Sequence, residues 1–102
     1  MSDTLAPMFN PPHPGAFIAT TFLVPLGVSA RSLAMALGVA ATSVTRLLAG
    51  NARVTPEMAV RLEKVLGRSA ESWLSMQNAY DLAQARRAID TDGLRRLEPA
   101  IA

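Results

Sequence analysis

Residues 34 to 48 read Ala34-Met35-Ala36-Leu37-Gly38-Val39-Ala40-Ala41-Thr42-Ser43-Val44-Thr45-Arg46-Leu47-Leu48, and the fold turns on the glycine in the middle. Gly38 suits the left-handed backbone that ends a helix, and an apolar Val39 follows it at once. Val44, Leu47 and Leu48 then recur at intervals of three or four, the period of a helix with one buried face. Two short helices joined by a tight turn need a small residue where they cross, a glycine in the turn and apolar residues that lock the second helix onto the first. Ala34, Gly38, Val39, Val44 and Leu47 stand at successive spacings of four, one, five and three. That register predicts a helix-turn-helix, with one helix over Ala30–Leu37 and the next over Ala40–Leu48.

Upstream, Ser29 is suited to cap the first helix of the pair, because its hydroxyl can accept an amide that has no partner in the first turn. Pro14 fits the first turn of an earlier helix, which is expected to run to about Leu23 and stop before Pro25, with Leu26-Gly27 as its exit. Pro7, Pro11 and Pro12 prevent helix propagation over residues 1 to 13, which read as an extended arm. His13 has no cysteine and no second histidine to join it, so a capping role beside Pro14 suits it better than a metal.

Downstream, Thr55-Pro56-Glu57 supplies a cap, a proline at the first helical position and an acid at the positive end of the helix dipole. Met58, Ala59, Leu62, Val65 and Leu66 form that helix's apolar stripe, and Gly67 closes it. Glu57 and Arg61 are spaced as a surface pair on adjacent turns. Ser69 caps a longer helix in which Trp73, Met76 or Gln77, Tyr80 and Ala83 recur, ending near Ile89. Trp73 and Tyr80 suit the core, with part of their stripe available to a dimer seam. No alternating segment is long enough for a strand and nothing repeats. The expectation is an all-α, five-helix domain over residues 14 to 90, with a tail from 91 to 102.

With 102 residues, the chain has enough length for one core but not for two. Half of its residues are hydrophobic and 18% are charged, a balance that collapses rather than staying disordered. It has no cysteine, which excludes a disulfide framework, a thiolate zinc site and a cysteine nucleophile. No nucleophile-base pair, phosphate loop or metal-ligand cluster is visible, so an enzyme, a cofactor and a metal are not expected. The start, Met1-Ser2-Asp3, lacks a basic cluster, and no apolar run reaches the roughly 18 residues of a membrane span. The expected location is the cytoplasm, away from membranes. The net charge of +2 is unevenly placed. Residues 31 to 68 carry Arg31, Arg46, Arg53, Arg61, Lys64 and Arg68 against Glu57 and Glu63, a local +4, while the segments on either side each carry −1. A basic middle of this kind suits a phosphate-facing surface.

If Val44 and Leu47 turn inward, the other face of their helix presents Ala40, Ala41, Thr42, Ser43, Thr45, Arg46 and Ala49. In a helix-turn-helix the start of the second helix points at base edges. Arg46 has the bidentate fork for a guanine, or serves equally as a phosphate contact; Thr42 and Thr45 suit a thymine methyl, a base or a phosphate. The alanines offer little hydrogen bonding, so DNA shape should share the readout. Asn51 and Arg53, in the loop beyond, suit phosphate clamps or, more plainly, a turn former and a solvated cation. Arg31, Ala41, Thr42, Ser43, Thr45, Arg46, Asn51 and Arg53 are therefore the residues expected at DNA.

Several runs in the chain carry a family likeness: His13-Pro14-Gly15, Pro25-Leu26-Gly27-Val28-Ser29, Leu33-Ala34 with Leu37-Gly38-Val39, Thr55-Pro56-Glu57-Met58-Ala59 with Arg61-Leu62, and Trp73-Leu74 with Gln77 and Ala79-Tyr80-Asp81-Leu82. Together, from residue 8 to about 83, they resemble the HigA group of antitoxins, which are cytoplasmic XRE-type repressors with a lambda-repressor-like fold. The resemblance implies a homodimer that represses its own operon at a palindromic operator in double-stranded DNA. It also implies a protein that neutralises a HigB-type toxin, a ribosome-dependent mRNA endonuclease, although not every member has a toxin.

Two departures from the pattern stand out. The first helix, Ala16 to Val24, lacks the charges usual in relatives, which favours its burial in a partner. Asn51 stands where Lys or Arg is common, which lowers the expected affinity for DNA. The alternatives to a DNA-binding repressor are an antidote that mainly sequesters an RNase, with DNA binding secondary or lost, and a regulator with no toxin at all.

Overall fold

A computed structural model describes residues 10–99. It contains five helices: α1 (Pro14–Leu26), then α2 (Ala30–Leu37), α3 (Ala41–Leu48), α4 (Pro56–Leu66) and α5 (Ala70–Ala88). No strand occurs among the described residues. Most of the expected arm, residues 1–9, lies outside them, as do residues 100–102 of the tail.

The caps explain where most helices begin. Ser29, Thr55 and Ser69 each accept the amide three residues ahead through a side-chain oxygen, at 3.1, 3.2 and 3.0 Å. α2 ends where Gly38 takes φ 72°, a left-handed value that costs residues with a Cβ. The expected third helix is one residue shorter than its sequence suggests, because Ala40 is extended and serves as the N-cap of α3.

α1 departs further from expectation. It was expected to stop before Pro25, yet it continues through that proline to Leu26. The reason lies in the turn before it. Ala19–Leu23 is wound as a π-helix, and the Val24 amide donates to the Ala19 carbonyl five residues back. In a regular α-helix the proline ring would press on the carbonyl four residues earlier and deprive it of a donor. A single wider turn shifts that register and lets the helix pass.

Ile18 and Leu23 of α1, Leu33, Ala34 and Leu37 of α2, Val44 and Leu47 of α3, Val54 of the loop, Ala59 and Leu62 of α4 and Trp73 of α5 form one buried cluster. Each helix contributes its apolar stripe, so all five pack on a common centre. Phe17 and Phe22 lean on Trp73, with ring centroids 5.9 and 6.2 Å away, and the Arg68 guanidinium lies over the Phe17 ring at 5.0 Å.

Three contacts fix α3 within this frame. Gly15 meets the end of α3 so closely that a Cβ placed on it would lie 1.9 Å from the Leu47 carbonyl oxygen and 2.9 Å from the Leu48 Cα. Arg61 does more than pair with Glu57 on its own helix: its Nη1 donates to the Leu37 carbonyl at 2.7 Å, holding α4 to the closing end of α2. The buried Gln77 of α5 accepts the Val54 amide at 2.7 Å and donates to Asp81 at 3.0 Å. A glutamine at this position therefore pairs a loop amide that would otherwise be buried without an acceptor.

Candidate nucleic-acid interface

α3 is one-sided. Val44 and Leu47 are 0% and 1% exposed, while Ala41, Thr42, Ser43, Thr45 and Arg46 are all exposed. Five of the seven side chains expected on its outer face are thus brought together on one strip of surface, and the other two, Ala40 and Ala49, flank the helix and are exposed as well. Thr45 donates its hydroxyl to the Thr42 carbonyl at 3.0 Å, which fixes its rotamer. Arg46 donates Nη2 to the Asn51 carbonyl at 2.9 Å, so its charge stands beside the loop that follows the helix.

α3 also differs from its neighbours at its beginning. α1, α2, α4 and α5 each start on a side chain that accepts a first-turn amide. α3 starts on Ala40, which has none, and carries no acid in its first turn. The Ser43 amide donates to the Ala40 carbonyl at 3.0 Å, and the amides of Ala41 and Thr42, with the positive end of the helix dipole, are left for an outside acceptor.

The loop residues are less alike than the sequence suggests. Asn51 is exposed. Arg53 was expected to be a phosphate clamp or a free surface cation, but its guanidinium is hydrogen-bonded to the Asp81 carboxylate of α5. That bond, and then the amide of Gln77, hold the Asp81 carboxyl below its ordinary value against the opposing effect of burial. Arg53 thus keeps its place but shares its charge. A shallow groove of about 230 Å³ between α3, the loop and α4 is lined by Thr42, Ser43, Arg46, Ala52, Arg53 and Thr55 among others. Arg31, at the start of α2, is exposed and does not line it.

His13 has the capping role its position suggests: its Nδ1 accepts the Gly15 amide at 2.9 Å. Asp81, Gln77 and Arg61 make contacts that the sequence does not reveal. Their partners lie 23 to 28 residues away, beyond any spacing rule. The one available hint was a polar Gln77 on an apolar stripe.

Residues 22–74 match the helix-turn-helix family model, which is just over half of the chain. The chain belongs to the helix-turn-helix family. This helix-turn-helix protein is 46% identical over 90 residues to the uncharacterized HTH-type transcriptional regulator YddM of Escherichia coli strain K12, covering 88% of the chain and 95% of the relative. Its fold is similar to that of the antitoxin GraA, with a TM-score of 0.82 at 36% identity over 86% of this chain and 98% of that one. It is also similar to the Pseudomonas aeruginosa antitoxin HigA, solved with the higBA promoter, with a TM-score of 0.79 at 32% identity over 90% of this chain and all of that one. The protein is thus a regulator of the HigA antitoxin type, in a family of DNA-binding regulators rather than enzymes. No single helix among the described residues is long and apolar enough to cross a membrane.

Proposed function

We propose that the protein is a homodimeric transcriptional repressor that acts in the cytoplasm on a palindromic operator. Each protomer seats α3 in the major groove, and Arg31, Ala41, Thr42, Ser43, Thr45, Arg46, Asn51 and Arg53 face the duplex. The observation that carries this reading is the one-sided α3: it offers hydroxyls, a guanidinium and an uncapped, dipole-positive start on its outer face, while Val44 and Leu47 anchor the inner one. Phosphates and base edges supply the acceptors that such a face lacks. The structure of a HigA antitoxin with its promoter lends support, since 90% of this chain shares that fold.

The test is fluorescence anisotropy on a labelled duplex carrying the palindrome upstream of the gene, at salt from about 50 to about 200 mM, where a protein making several phosphate contacts loses affinity steeply. A flat response overturns the reading. Arg46→Ala decides the role of that residue. If Arg46 reads a base, the loss of about 1–3 kcal/mol falls on the palindrome alone; if it holds phosphate, all duplexes weaken and the salt slope becomes shallower by about one.

A second reading is favoured by a separate observation. Val24 and Leu26 are 76% and 66% exposed on an α1 that carries no charged residue from Pro14 to Leu26. An apolar surface of this kind suits a protein partner, and for an antidote that partner is a HigB-type RNase. Co-purification with the product of a short neighbouring reading frame supports it; failure to co-purify leaves a regulator without a toxin.

A further inference from the structure

His13 stands outside the surface assigned to DNA, yet it touches both structures that set that surface. Its Nδ1 caps α1 at Gly15, the glycine pressed against the end of α3. Its ring lies edge-on to Tyr80 at 4.9 Å, and with Gly50, Asn51, Ala52 and Arg53 it lines a small cleft under the loop that follows α3. We propose that His13 is a positioning residue for DNA binding: its neutral ring holds α1 and the Gly50–Arg53 loop in the arrangement that presents α3, and protonation releases both.

The chemistry is specific to the neutral ring. An Nδ1 that accepts the Gly15 amide must carry a lone pair, and a protonated Nδ1 would instead turn a second donor toward that amide. The titratable and charged groups facing the ring are Asp81 and Tyr80 on α5 and Arg53 on the loop. Burial lowers the affinity of His13 for a proton below the ordinary histidine value of 6.5 and outweighs a hydrogen bond to the Ala52 backbone and the Asp81 carboxylate, which act the other way. A lowered folded value means that the neutral ring persists below 6.5 in the folded protein and is lost only as the pH falls through the folded value. His13 is the chain's one histidine, so no other side chain has an ordinary titration in this window.

The proposal rests on the DNA-binding reading, and the experiment separates the two. Affinity for the upstream palindrome duplex is measured between about pH 7.5 and about pH 4.5, far enough below the ordinary histidine value to reach a lowered one, for the wild type, His13→Asn and His13→Ala. Melting curves at each pH report the folded fraction. Asparagine caps a helix without titrating. The wild type is expected to weaken as the pH falls, His13→Asn to bind as the wild type does at pH 7.5 and stay level, and His13→Ala to be weaker throughout by about fivefold, the equivalent of a lost cap. A pH profile shared by the wild type and His13→Asn overturns the role of His13 and leaves DNA binding intact. No binding by the wild type at any pH overturns both.

Discussion

Gly15 shows how one absent methyl group sets the distance between two helices. It lies in the first turn of α1, where alanine would be the better helix former by about 1 kcal/mol. Against that gain stands a Cβ 1.9 Å from the Leu47 carbonyl oxygen. Its neighbours there are backbone and cannot swing aside, so overpacking of about 3 kcal/mol should win. Gly15→Ala is therefore expected to lower stability by about 2 kcal/mol net, read as a shifted midpoint in urea with unchanged slope, and to weaken operator binding beyond the loss of folded protein, because α3 must move to admit the methyl. Equal or greater stability would mean that α1 and α3 can part without cost.

At the scale of whole elements, α3 trades stability for its open start. Ala40→Asp would add the missing cap, with a charge suited to the dipole, and should raise stability by about 1 kcal/mol. The same carboxylate would occupy the amides left for phosphate and repel the duplex, so operator affinity should fall while the melting temperature rises. Parallel changes in both would refute this account of the uncapped start.

Local signals made α2, α4 and α5 readable. Ser29, Thr55 and Ser69 mark their beginnings, and Gly38 and Gly67 the ends of the first two. The outward set on α3 was legible for the same reason, since the burial of Val44 and Leu47 determines which side chains face away. Pro25 misled because a proline ordinarily ends a helix, and nothing nearby announces a π-turn that carries the chain past it. The Arg53–Asp81 pair and the bond from Arg61 to Leu37 were hidden because they join elements far apart in sequence, and only packing reveals which distant carboxylate or carbonyl a cation reaches.

For the whole molecule, the proposed action is a matter of spacing. One protomer of 10.8 kDa places a single α3, and a palindrome has two half-sites about 34 Å apart along one face of the duplex. A dimer mass in sedimentation equilibrium and binding to the intact palindrome are expected. Inserting about five base pairs between the half-sites turns the second one by about half a helical turn and should reduce affinity to that of an unrelated duplex. Undiminished binding would mean that protomers act singly.

Trp73 has a practical consequence of its own. It is the chain's one tryptophan, it is fully buried, and its indole Nε1 finds no hydrogen-bond partner among the described residues. Phe17 and Phe22 shield it from the α1 side. An indole in so dry a setting emits at short wavelength and shifts to the red when solvent reaches it. Any event that lifts α1 away therefore announces itself optically, without a dye.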